Sequence, residues 1–286
     1  MKNNKILWIS DFNLTHTIGG AQRSNDLIIK KGKELGLSIF EANFNFNFKI
    51  CDLNEYDVIV SSNLEAICQV HPNIIDQISQ HKFHVRLEHD LNRYLEQNQR
   101  IKLFQSCKKT FFLTDFHYQL FKVNYGDIFR NIEIVADPID TSIFFDKKEN
   151  REDKILYVGF MHEMKGTNMF FEYVFSKPEI EFVVAGWGSN MYTFLAQNAP
   201  NVKFLGPVEY EKMPDLYNKY ETIFYSPVLP EPFCRSICEA AFCGTKIMSF
   251  SAKNIGCLNE MERLGKDVLI NNCQNASEIF WEKVWN

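Results

Sequence analysis

The chain has 286 residues, enough for two modest domains that each bury a core. Hydrophobic residues make up 45% and charged residues 23%, as in ordinary globular proteins, and a net charge of −5 argues against nucleic acid as the main partner. No apolar run approaches about 18 residues and the start MKNNKILWIS lacks a signal-peptide core, so a cytoplasmic protein without a transmembrane segment is expected.

Lys5–Ser10 (KILWIS) reads as a first strand, leading through THTIGG into a helix over Ala21–Leu35 that Gly36 stops. A strand, a glycine turn and a helix N-terminus make an anion-ready element, which singles out Gly19 and Gly20. The glycine pair alone is a weak signal, because many turns contain one. The alternating run Asn43–Phe48 (NFNFNF) predicts an edge strand. Tyr56–Ser61 and Lys82–Leu87 predict further strands. The next segment, Glu88–Leu95 (EHDLNRYL), places His89 just past a strand end, where open α/β sheets bind ligands. Asp90 stands ready to orient it, with Arg86 and Arg93 as nearby cations, although a solvated helix face accounts better for Arg93. Thr110–Leu113 is a strand, Thr114-Asp115 caps the helix after it, and Ile132–Ala136 closes the first domain. The segment ADPIDTSIFFDKKENRED then passes from a proline corner to a charged run, the best linker in the chain.

Lys154–Gly159 opens the second domain. Lys165-Gly166 begins a helix, and a lysine there opposes the helix dipole unless an anion lies between them. Glu181–Ala185 is a strand running into Gly186-Trp187-Gly188, and Asn201–Gly206 is another. From Glu221 to Phe250 the pattern is strand, turn, helix, turn, strand. Thr222–Tyr225 is the first strand, and Pro227, Pro230 and Pro232 enforce the turn. Pro232 suits the first helical position of a helix over Phe233–Cys243, and Gly244 supplies its stop. Glu231 and Glu239 frame that helix, roughly 12 Å apart along its axis, comparable to the reach of a nucleotide sugar. The first helical turn suits a diphosphate, and a buried carboxylate suits the two hydroxyls of a ribose. Glu239 lies among Ile237, Cys238, Ala240, Ala241 and Phe242, a poor setting for a solvated face. The eight cysteines lack paired spacing, so Cys234, Cys238 and Cys243 read as reduced core thiols rather than metal ligands. Lys266–Ile270 predicts a last strand, and Ser277–Asn286 a tail helix with one apolar face.

The stretch EPFCRSICEAAFCGTKIMSF resembles the paired-glutamate signature of retaining, nucleotide-sugar-dependent glycosyltransferases of the GT-B fold, specifically the large family 4 (group 1). Glu231, Pro232, Phe233, Glu239, Ala240, Cys243 and Gly244 match in register; Cys234 replaces the usual glycine and Lys246 the usual proline. The resemblance implies an α/β chain with two Rossmann-like, doubly wound domains facing a central cleft. An acceptor-side domain would take residues 1–145 and a donor domain 146–274, with a C-terminal helix over 275–286 packing back on the first domain. It also implies a donor site of Gly19, Gly20, Gly159, Lys165, Gly186, Glu231, Pro232, Phe233, Cys234, Arg235 and Glu239, with His89, Glu231 and Lys165 at the reacting centre. Gly256–Glu260 is similar to a reduced form of the family's Gly-Gly-x-x-Glu turn. The family's arginine after the first donor-domain strand is Phe160 here, and Arg235 is a candidate replacement unless it pairs with Glu231 or Glu239.

The implied reaction moves a sugar from a nucleoside diphosphate sugar to a carbohydrate or glycoconjugate hydroxyl, with no cofactor and no metal. Phe160 motivates a second expectation, a nucleotide-sugar-binding subunit weakened in catalysis. A nucleotide-sugar epimerase would need acid–base carboxylates at the sugar that the sequence does not offer.

Overall fold

The computed structural model describes residues 4–48, 51–91 and 95–286, so Arg93 lies outside the described residues. The chain divides into two compact units, Met1–Pro138 with Asn271–Asn286, and Ile139–Ile270.

Unit 1 runs β1 (Lys5–Ile9), α1 (Gly20–Glu34), β2 (Ser38–Ala42), β3 (Val58–Ser61), α2 (Glu65–Val70), α3 (Ile74–Gln80), β4 (His84–Leu87), α4 (Gln97–Ser106), β5 (Lys109–Phe112), α5 (Asp115–Tyr125) and β6 (Ile132–Ile134). The sheet is parallel throughout, in the order β2-β1-β3-β4-β5-β6. β3 and β4 are buried along their whole length, as expected of central parallel strands with helices on both faces. Thr114 accepts the His117 N–H at 2.9 Å and so starts α5.

Unit 2 runs β7 (Glu152–Met161), α6 (Thr167–Ser176), β8 (Phe182–Gly188), α7 (Asn190–Asn198), β9 (Val202–Gly206), α8 (Met213–Lys219), β10 (Tyr220–Phe224), α9 (Arg235–Phe242), β11 (Lys246–Met248) and α10 (Gly256–Leu264), and α11 (Lys266–Trp285) follows. Its sheet, also parallel, has the order β11-β10-β7-β8-β9. No described helix is long and apolar enough to cross a membrane.

The C-terminal part of α11 completes the core of unit 1. Trp281 donates its indole N–H to the Ile28 carbonyl at 2.8 Å, and both Phe280 and Trp281 pack on Trp8 of β1. Gly32 of α1 makes room for this, because a Cβ there would stand 2.7 Å from the Trp281 ring.

Four sequence expectations fail locally. Asn43–Phe48 is a turn rather than a strand, because Asn43 accepts the Asn45 N–H on its side chain at 3.0 Å. Phe48 still reaches the core from that turn. Lys266–Ile270 is the first part of α11, the short apolar run being as compatible with a helix as with a strand. Gly256–Glu260 opens α10, with Glu260 buried and paired to Arg263 at 2.5 Å. The helix after the prolines starts at Arg235 rather than at Pro232, so Glu231 precedes it.

Candidate functional site

Within unit 2 the chain first builds the sheet outward from β7 through β8 and β9, then returns to add β10 and β11 on the other side. The crevice beyond the carboxyl ends of β7 and β10 is therefore the topological switch point, where open α/β sheets hold ligands. The segment after β7 carries Lys165 and the segment after β10 carries Glu231. The two side chains meet there, Lys165 Nζ to Glu231 Oε1 at 2.6 Å.

Backbone contacts fix both partners. His162 accepts the Met164 N–H on Nδ1 at 3.2 Å, and Val228 donates to the Met164 carbonyl at 3.0 Å. Gly166 reverses the chain with φ +76°, so close to the segment after β10 that a Cβ would lie 1.8 Å from the Ser226 carbonyl oxygen. Glu231 donates its N–H to Asn254 at 2.7 Å and accepts that of Gly256 at 2.9 Å, while Phe233 accepts the Cys257 N–H at 2.8 Å. The start of α10 thus clamps the loop holding Glu231, Pro232 and Phe233.

Gly159 and Gly186 are register partners at the ends of β7 and β8, and a Cβ on Gly186 would stand 1.9 Å from the Gly159 carbonyl. Gly159 faces open space. Beside this bare backbone, Phe160 and Trp187 are 44% and 50% exposed with ring centroids 6.0 Å apart, and His162 stacks on Phe160 at 5.8 Å. An aromatic cluster therefore stands where the resemblance leads one to expect a cation.

Cys234 occupies the N-cap of α9 with φ +71°, a left-handed conformation that a side chain tolerates at a cost of roughly 1–2 kcal/mol. Burial pushes its thiol well above the usual range. From this start, Arg235 and Glu239 fall one turn apart and pair, Nη2 to Oε1 at 3.4 Å, with Glu239 only 4% exposed. Tyr210, from the segment after β9, donates its hydroxyl to the same carboxylate oxygen at 3.1 Å and lies 3.3 Å from Arg235 Nη2. Burial first, and the Glu239 charge second, push the Tyr210 phenol up to about 12. Glu231 is held in its turn by Lys165, and the phenol of nearby Tyr225 is raised, chiefly by burial.

In unit 1, Gly19 is the N-cap of α1 and Gly20 its first residue. One turn on, Asn25 accepts from His89 Nε2 at 2.8 Å, and Ser24 donates to Asp137 at 2.6 Å. Asp137 lies 3.8 Å from His89 Nδ1, and the imidazole is buried. Asn25 and Asp137 therefore orient His89. Asp90 does not, since it accepts from Asn63 at 2.8 Å. Arg86 is no ligand cation either; it is fully buried against Glu88 at 2.5 Å and also donates to the Ser62 carbonyl. Tyr210 and Asn25 carry no local mark in the sequence, their partners being distant along the chain. Among the described residues, no three His, Cys, Asp or Glu side chains gather as a metal-ligand set.

Residues 152–283 match the family model "Glycosyl transferases group 1". Compared by sequence with curated proteins, the chain has no match. Among solved structures, it is similar to HepE of Anabaena in complex with UDP and glucose, with TM-score 0.62 and 16% identity over 96% of this chain and 94% of that one. It is also similar to a glycosyltransferase of Rickettsia africae, with TM-score 0.61 and 14% identity over 100% and 94% of the two chains. The lipopolysaccharide outer core galactosyltransferase WaaB, in its apo form, has TM-score 0.64 and 12% identity over 99% and 98%. At such identities the structural likeness establishes the fold, and the family match lies on the half that carries the paired glutamates. The chain thus has the architecture of the GT-B glycosyltransferases, and its residues 152–283 match the group 1 glycosyl transferase family.

Proposed function

We propose that the chain is a retaining glycosyltransferase that moves a sugar from a nucleoside diphosphate sugar to the hydroxyl of a carbohydrate or glycoconjugate. The observation that carries this reading is the pair of carboxylate–cation contacts around the start of α9, Lys165–Glu231 and Arg235–Glu239, the second joined by Tyr210. Glu239 would accept from the ribose hydroxyls and Glu231 from hydroxyls of the transferred sugar, the diphosphate lying against the N-terminus of α9. Gly159 and Gly186 would let the backbone approach the donor, with Pro232, Phe233 and Cys234 shaping the loop beside it. Lys165 would stabilise the charge that builds on the diphosphate as the sugar–phosphate bond breaks, so no metal is required. HepE holds UDP and glucose in its structure, so UDP-sugars are the first donors to try. All eight cysteines are free thiols, which supports a reducing compartment such as the cytoplasm.

The test is a panel of UDP-, GDP- and ADP-sugars, scored for thermal stabilisation and for release of the free diphosphate, with and without EDTA. A donor that binds the folded state raises its melting temperature. Stabilisation and EDTA-resistant release, both lost in Glu239→Ala, support the transferase; the anomeric configuration of the product, read by NMR, decides retention. Phe160 in the place of a cation favours a second reading, a donor-binding subunit of a larger enzyme. Stabilisation without release, with sugar acceptors supplied, would select it.

A further inference from the structure

We infer that Tyr210 is a positioning residue for Glu239, setting the carboxylate for the ribose of the donor, and that Arg235 serves as the counter-charge of Glu239. This rests on the donor site proposed above. Two donors from different elements converge on one oxygen. Tyr210 reaches Glu239 Oε1 from the segment after β9, at 3.1 Å, and Arg235 reaches it from the preceding turn of α9, at 3.4 Å. The two donors lie 3.3 Å from each other, so the three groups form a closed triangle. A carboxylate restrained from two directions presents its remaining lone pairs at a fixed angle, which two neighbouring hydroxyls require of a shared acceptor. The Tyr210 ring is itself held, 5.3 Å from the buried Phe144 ring. With its phenol raised to about 12, Tyr210 stays a donor across the pH range of any assay. Arg235, one turn from Glu239 and buried beside it, sets a positive charge against that carboxylate.

The experiment measures binding of UDP, GDP and ADP by calorimetry, then repeats the best of the three as its 2′,3′-dideoxy analogue. Wild type is expected to prefer the ribose form. In Tyr210→Phe, which keeps the ring on Phe144, that preference should shrink about three- to tenfold, the effect of loosening a hydrogen bond to a charged group. Affinity for the dideoxy form should not change. In a Glu239→Gln background, adding Tyr210→Phe should change nothing further. If Tyr210→Phe keeps the full ribose preference, or weakens both forms equally, Tyr210 does not act through Glu239 and the inference is wrong. A wild type that binds a diphosphate without preferring ribose removes the role of Glu239 as well. A wild type that binds none of the three refutes the donor site itself, and this inference with it.

Discussion

Gly166→Ala offers a direct measure of how tightly the Lys165 turn is seated. Two penalties apply at that position. The backbone is left-handed, with φ +76° and ψ 21°, which costs an alanine roughly 1–2 kcal/mol. The added methyl would also stand 1.8 Å from the Ser226 carbonyl oxygen and 2.6 Å from its carbon, both backbone atoms that no rotamer change can move aside. Gly206 isolates the first penalty, since it has φ +70° and no atom within 4 Å of the place a methyl would take. Gly206→Ala should therefore cost about 1–2 kcal/mol, and Gly166→Ala about 3 kcal/mol or more, as expected for a strained site with overpacking. Urea unfolding of both variants beside wild type, followed by far-UV circular dichroism, reads the difference. Displacing the turn also moves Lys165 from its 2.6 Å contact with Glu231, so diphosphate release should fall in Gly166→Ala at temperatures where it remains folded. Equal losses in the two variants would show that the turn does not bear on the segment after β10.

Two further expectations concern unit 1. Arg86→Met should cost about 3–5 kcal/mol, because it strands the Glu88 carboxylate, whose Oε2 already has no partner. Arg86→Met with Glu88→Leu should recover much of that in urea unfolding, and a double variant no better than the single would overturn the argument. Burial lowers both His84 and His117 to about 3, so their contribution is complete above the unfolded value near 6.5 and is lost as pH falls toward 3. Glu65 acts in the opposite sense: burial raises it to about 7, so its contribution grows as pH falls from about 7 to 4.5. Glu65→Gln should therefore make the acid loss of stability steeper in that window, whereas a profile parallel to wild type would refute the assignment.

The fold was legible in the sequence wherever strands were buried on both faces. KILWIS, YDVIVS and KFHVRL carry enough branched and aromatic residues to declare themselves, and they became β1, β3 and β4. Legibility failed where side chains compete with the backbone. NFNFNF alternates like a strand, yet its first asparagine closes a turn. It failed again at Pro232, which suits a helix start but is followed by Cys234 in a left-handed conformation that postpones the helix to Arg235. For the site, residue type and spacing drew attention to Glu231, Glu239, Lys165 and Arg235. Their pairing could not be read, because Lys165 and Glu231 are 66 residues apart and Tyr210 and Glu239 are 29 apart. Contacts at such separations depend on strand order, which no local pattern encodes.

The Trp281 contact with Ile28 also bears on the order in which the chain can fold during synthesis. Domains generally fold as they emerge from the ribosome, the earlier one first. Here β1, made long before α11, has Trp8 packed on Phe280 and Trp281, and the groove at Gly32 is filled by Trp281. Those residues are translated after every strand of both units. Unit 2, residues 139–270, has all its strands and its core in hand while unit 1 still waits for 271–286. The earlier-made sheet must therefore remain incomplete, its apolar face in need of protection, until α11 arrives. A nonsense mutation just after Ile270 would leave unit 2 whole and unit 1 without its closing helix.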